Sequence, residues 1–142
     1  MRIELITNEQ MLKIAFSIRE KVFVEEQNVN PDIEYDEFEK DSRHFLAFHN
    51  NNPVGTARWR YTDKGIKLER FAVIDKYRGM GIGSALLQAT LENIGNHEGK
   101  HIYLHSQNQA IPFYRKFGFE ISGDEFEEAG ILHHEMIYKR ED

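Results

Sequence analysis

Residues 77–87, "YRGMGIGSALL", constrain this chain more than any other stretch: Gly79, Gly81 and Gly83 alternate directly behind Arg78 and lead into an apolar run with helical spacing. Glycine costs a helix interior about 1 kcal/mol relative to alanine, so three at a helix entrance need a reason. The N–H groups of a first helical turn have no partner inside the helix, and the dipole adds partial positive charge there. An anion can rest on them provided no side chain blocks its approach. The preceding "IKLERFAVI" (66–74) reads as a strand, so strand, loop 75–81 and a helix from 82 predict a phosphate cradle. A tight strand-to-helix turn without a ligand is the plain alternative. The dinucleotide fingerprint G-x-G-x-x-G is excluded, because the third glycine comes one position early and the next strand ends in "LHSQ". A Walker loop is excluded because no Gly-Lys-Ser/Thr follows.

Composition narrows what surrounds that cradle. The 142 residues, 40% hydrophobic and 30% charged, suit one folded domain, 1–142, with a buried core. No apolar run approaches the roughly 18 residues of a membrane span, and "MRIELITNEQ" lacks the apolar stretch of a secretory signal. The expectation is a cytoplasmic protein away from membranes. Without cysteine there is no disulfide, thiolate metal site or cysteine nucleophile. Apart from the adjacent His133 and His134 the histidines are scattered, so no metal is expected. A net charge of −6 argues against a nucleic-acid partner.

The remaining elements follow from periodicity and breakers. Residues 2–6 alternate as a strand, and Asn8 is placed to cap a helix through "EQMLKIAFSIREKVFVEEQ", with Met11, Ile14, Ile18 and Val22 on its apolar face. The acidic "NVNPDIEYDEFEKDS" reads as a loop. An antiparallel meander follows, with strands in 43–50, 54–61 and 66–74. Beyond the glycines, Leu87, Leu91 and Ile94 share a helix face that ends near Gly95. A buried-type strand at 101–106 leads to a short helix with Pro112 in its first turn, closing on Gly118. The tail, ending at Arg140, reads as two strands joined through Gly130.

These stretches together resemble a known family. "RGMGIGSALL" matches the R/Q-x-x-G-x-G/A acyl-CoA motif of the GNAT superfamily of N-acetyltransferases, and "NQAIPFYRKFGFE" matches its second unit, A-x-x-F-Y-x-x-x-G-F. "IREKVFVEEQNV" and "FEEAGILHHEM" are similar to the ElaA/YjcF branch. The resemblance implies an α/β (α+β) domain, with a mixed, mostly antiparallel sheet and helices on both faces. It implies acetyl transfer from acetyl-CoA to a primary amine, small molecule or peptide, directly within a ternary complex. An acyl-CoA-binding module without turnover, serving regulation or a partner, is the other reading. Such domains often pair, which leaves a homodimer open.

The resemblance also assigns roles. Amides of Arg78, Gly79, Met80, Gly81, Ile82, Gly83 and Ser84 would hold the pyrophosphate, with the Arg78 side chain adding charge or lying along the surface. The main chain of Phe71, Ala72 and Val73 would run beside the pantetheine arm. Gln107 or Asn108 would supply an amide contact where many members have asparagine. Tyr114 is the candidate proton donor to the leaving thiolate, or an ordinary core residue. For the base, His133 is favoured over Glu69, with a water relay as a third route. His133 sits in an H-x-x-M stretch and imidazole titrates near neutral pH. Glu69 shares period-two parity with Phe71 and Val73. Glu26 and Gln27 would wall the acceptor site or cap their helix. His105 reads as a core residue, and Trp59 and Arg58 are expected to pack and snorkel. The acidic residues Asp32, Glu34, Asp36, Glu37, Glu39 and Asp41 would steer a cationic acceptor or be merely solvated.

Overall fold

The first helix starts where its cap predicts: Asn8 Oδ1 accepts the Met11 N–H at 2.9 Å. The computed structural model describes residues 1–139; Arg140, the expected end of the closing strand, lies outside them. Helix α1 (Glu9–Arg19) buries Ala15, Ile18 and Arg19, whereas Ile14 is exposed, so the inner face lies one residue beyond the expected stripe. From Glu20 to Glu26 the helix widens into π turns, and the Gln27 N–H reaches back to the Val22 carbonyl at 3.1 Å. The acidic stretch after it is not all loop. Asn30 Oδ1 accepts the Asp32 N–H at 2.9 Å and starts a single turn, α2 (Pro31–Glu34).

Strands β1 (Arg2–Leu5), β2 (Arg43–His49), β3 (Asn52–Thr62), β4 (Gly65–Val73), β5 (Ile102–Gln107), β6 (Phe119–Ile121), β7 (Phe126–Glu128) and β8 (Ile131–Tyr138) form one sheet. Its order is β1-β2-β3-β4-β5-β8-β6, with β7 also on β8. The tail therefore supplies three strands where two were expected. Phe119–Ile121 is too short for an alternation pattern to expose it. Every pairing is antiparallel except β4 with β5, which are joined by a crossover through α3 (Ile82–Ile94), as parallel neighbours require. The short α4 (Ile111–Arg115) follows β5, with Pro112 in its first turn.

Helices cover both faces. Ile82, Leu86 and Leu87 of α3 and Ile111 of α4 pack with Ala57, Trp59, Ile66, Leu68 and Met136. On the other face, Ala15, Ile18 and Val22 pack on Leu46 and Ala72. Trp59 is buried as expected, its Nε1–H donating to Asn93 Oδ1 at 2.9 Å. Arg58 does not snorkel. It is 0% exposed and its guanidinium faces Asp36, Glu39 and Glu69 at 2.6, 2.8 and 3.2 Å.

Two irregularities shape what lies between the helices. First, β4 and β5 pair only at Ile66–Leu68 with Ile102–Leu104, then separate. Beyond that point β4 pairs with β3 alone, so the sheet splits into a V. Second, β4 carries a bulge. Arg58 opposes Glu69 and Thr56 opposes Ala72, so β4 holds one extra residue, with Arg70 at φ 58°. The bulge reverses the alternation. Leu68, Phe71 and Val73 pack toward α3, while Ala72 packs toward α1. Glu69, opposite Arg58, is thereby turned away from Phe71 and Val73, contrary to its period-two parity.

Candidate active site

The V between β4 and β5 opens into a cleft of about 840 Å³. One end is the glycine loop. Gly79 and Gly81 have φ of 80° and 81°, the left-handed region where a side chain is strained, and a Cβ on either would meet no protein atom within 4 Å. Gly81 occupies the N-cap of α3 with no side-chain cap, and the helix's own hydrogen bonds begin at Ala85 N–H to Gly81 O, 3.1 Å. The amides of Ile82, Gly83 and Ser84 thus face open space. A diphosphate fits this end: left-handed glycines, bare amides and the positive end of a long helix. Gly83 differs from its neighbours, since it is helical and its missing Cβ lies 3.6 Å from the Phe113 ring. The Met80 side chain is exposed and does not line the cleft.

Arg78 is not free beside this loop. Its Nη1 and Nη2 donate to Glu26 at 2.7 and 2.8 Å, and its Nε donates to the Val73 carbonyl at 3.0 Å. Val73 therefore has one main-chain group already engaged. Glu26 stands at the glycine end, where the hydrogen bonds from Arg78 hold its carboxyl below the usual range. This corrects its expected place on an acceptor wall. The π turns bring it and Gln27 to the cleft. Gln27 Oε1 accepts from Gln107 Nε2 at 2.7 Å, bridging the end of the first helix to the end of β5. Of the two candidate amides, Gln107 lines the cleft. Asn108 does not: it donates to Glu125 at 2.7 Å and meets His134 Nδ1 at 2.8 Å.

Midway along the cleft the half-buried Tyr114 ring stands edge-on to Phe71, with centroids 6.2 Å apart. Burial pushes its phenol above the ordinary tyrosine value. The group keeps its proton at rest and is better suited to donating a hydrogen bond than to releasing the proton outright.

His133, His105, Glu128, Lys67 and Glu69 also line the cleft, Lys67 where β4 and β5 still pair and His133 opposite Gln107. The buried His133 sets its Nδ1 2.7 Å from the Ile131 carbonyl. A carbonyl only accepts, so Nδ1 carries a proton, and in the neutral ring the lone pair is on Nε2. The ring stacks on Phe126, and its Nε2 lies 3.8 Å from Glu128 Oε2. Glu128 in turn meets His105 Nδ1 at 3.0 Å, whose Nε2 lies 3.4 Å from Glu135. The hydrogen bond from His105 holds the Glu128 carboxyl below its usual range. Glu128 was missed in the sequence. A signal existed in "FEE" of β7, where Phe126 and Glu128 share a face opposite the His133 strand. His105 lines the cleft and is not a core residue. Among the described residues, no cluster of three or more histidines and acids could hold a metal ion.

Glu69 is buried among cations. Burial alone would raise its pKa, but Arg58, Lys67 and Arg60 outweigh that and hold it below the usual range. It hydrogen-bonds Arg60, and Arg58 lies at 3.2 Å. The acidic stretch 32–41 is likewise turned inward in part. Glu34 is 2% exposed and lies 3.0 Å from Arg19, while Asp36 binds Arg58 and Glu39 binds both arginines. These carboxylates are neutralised inside the protein and do not form a steering surface for cations.

The model of the acetyltransferase (GNAT) domain matches residues 6–140. The uncharacterized N-acetyltransferase YjcF of Bacillus subtilis is 40% identical over 138 residues, 96% of this chain and 99% of that protein. The crystal structure of Escherichia coli ElaA superposes with a TM-score of 0.83 at 28% identity, covering 98% of this chain and all of that one (100%). A GNAT family acetyltransferase from Elizabethkingia anophelis with acetyl-CoA bound shares the fold at a TM-score of 0.67 and 20% identity, over 96% of this chain and 94% of that one. With a match running almost from end to end and a relative aligned along nearly its whole length, the chain belongs to the GNAT acetyltransferase family.

Proposed function

We propose that this protein is a cytoplasmic N-acetyltransferase that moves an acetyl group from acetyl-CoA to a primary amine by direct transfer in a ternary complex. The observation that carries the reading is the split between β4 and β5, which opens a cleft lined by both an anion cradle and an unencumbered imidazole. Acetyl-CoA supplies the activated acyl carbon. Residues 79–84 hold its diphosphate on main-chain amides, and the free edge of β4 at Phe71–Val73 lies alongside its arm. Gln107 is placed to add an amide contact. His133 Nε2 takes the proton from the attacking amine, and Tyr114 gives a hydrogen bond to the departing sulfur. Glu128 faces the imidazolium that results and stabilises it. Glu69 is the weaker base, since a carboxylate held down by three cations has little affinity for an amine's proton.

The test is release of CoA from acetyl-CoA across a broad panel of amines. Amine-dependent release is expected, and Tyr114→Phe should lower kcat by about 10². Tight binding of acetyl-CoA without release for any amine would instead make the protein an acyl-CoA-binding module. The cradle has its own test. Gly81→Ala places a Cβ at φ 81° in open space, so the fold should lose about 1–2 kcal/mol. Calorimetry should show CoA binding weakened by about tenfold or more, since one of the cradle's charge-assisted contacts is blocked. Unchanged affinity would place the diphosphate elsewhere.

A further inference from the structure

Arg19, Arg58, Arg60, Lys67 and Arg70 form one cluster with Glu34, Asp36, Glu39 and Glu69, and Glu128 lies near enough to Lys67 to feel its charge. Four of the cations hold hydrogen bonds to that set. Arg60 donates to Glu69 and lies over the Phe38 ring. Arg70 donates to Glu34 O and Asp36, each at 3.2 Å, and Arg19 and Arg58 bind Glu39 at 2.7 and 2.8 Å. Lys67 is the exception. Its side chain is only 14% exposed, yet its Nζ stands 3.6 Å from Glu69 Oε2, beyond hydrogen-bond distance. The other nearby carboxylate, Glu128, is engaged by His105. A lysine ammonium has three donors, and taking it out of water is unfavourable unless those donors find acceptors. Lys67 lines the same cleft as His133 and lies on the α1 side of the bulge with Glu69, at the end of the cleft away from the glycine loop.

We propose that the acceptor is a small amine that also carries a carboxylate, of amino-acid type, and that Lys67 holds that carboxylate. The proposal rests on the acyl-transfer reading above and names its substrate class. The free donors of the Lys67 ammonium match a carboxylate, an acceptor-only charged group that a polyamine lacks and that a carboxamide replaces with a single neutral oxygen.

The test compares CoA release with α- and ω-amino acids, each beside its own carboxamide, and with a polyamine. The carboxylate forms should be preferred by about ten- to a hundredfold in kcat/KM, mainly through KM, as loss of one charge-assisted contact implies. In Lys67→Met that ratio should fall toward one, and in Lys67→Arg it should persist. Carboxamides or polyamines used as well as amino acids, or a preference that survives Lys67→Met, would overturn the inference and leave acyl transfer standing. The wild-type panel decides alone should Lys67→Met not fold. No release with any amine would overturn the acyl-transfer reading and this inference with it.

Discussion

Replacing His133 by alanine is expected to lower kcat by about 10²–10⁴, the usual contribution of a positioned general base. That is roughly 3–5 kcal/mol of transition-state stabilisation. The expectation follows from the tautomer. With Nδ1–H donating to Ile131 O, the other nitrogen of the neutral ring presents a lone pair to the cleft, and Glu128 stands ready to face the imidazolium. Affinity for acetyl-CoA should be unchanged, because His133 is on β8 and not on the glycine loop or on β4. A loss in kcat with intact cofactor binding by calorimetry is therefore the signature. Glu128→Gln should produce a smaller loss, since it removes only a neighbouring charge. The contrasting variant is Glu69→Gln. It should lower the melting temperature, by uncovering Arg58 and Arg60, more than it lowers kcat. If His133→Ala keeps its full rate while a folded Glu69→Gln loses it, the base is Glu69 despite its surrounding cations.

The parts of this site that were legible in the sequence are those governed by local backbone rules. Asn8 and Gly81 mark helix starts through chemistry confined to one turn, and the strand–glycine–helix unit announces itself because left-handed backbone admits few residues but glycine. What was not legible depends on a residue's direction. Period-two parity put Glu69 on the face of Phe71, but one extra residue at Arg70 reverses every side chain beyond it, and nothing about arginine signals a positive φ. The helical spacing that carried α1 through Val22 gives no sign of π turns, so Glu26 was placed on an acceptor wall and found on Arg78. Acid content has no direction either. Of the six carboxylates in 32–41, Asp32, Glu37 and Asp41 are exposed, whereas Glu34, Asp36 and Glu39 turn inward to Arg19, Arg58 and Arg70.

Those arginines carry the second large effect. Arg58→Met is expected to destabilise the fold by about 3–5 kcal/mol, the usual result of deleting one partner of a buried ion pair. Methionine fills similar space, so the loss is electrostatic. Asp36, Glu39 and Glu69 would each lose a hydrogen-bonded or adjacent cation at a site that is 0% exposed. The Arg58 Nε–H already has no partner, so the deletion removes one unsatisfied donor and takes a cation from three acids, leaving Glu39 to Arg19, Asp36 to Arg70 and Glu69 to Arg60. The acid limb of stability supplies the check. Burial would raise the Asp36 pKa, but the hydrogen bonds and charge of Arg58 hold it down to about 2. A carboxylate with a depressed folded value contributes stability that is present above its unfolded value, about 3.9, and is lost as pH falls through the folded one. The wild-type contribution from Asp36 should shrink as pH falls below about 3.9 and be largely gone once pH has fallen through about 2. In Arg58→Met the Asp36 pKa rises toward or above its unfolded value, so acid unfolding should begin at higher pH. Thermal melts of both proteins between neutral pH and acid should therefore converge as pH falls, because protonation strips the wild type of what the substitution has already removed. Parallel curves with a constant gap would show that Arg58 stabilises by packing alone.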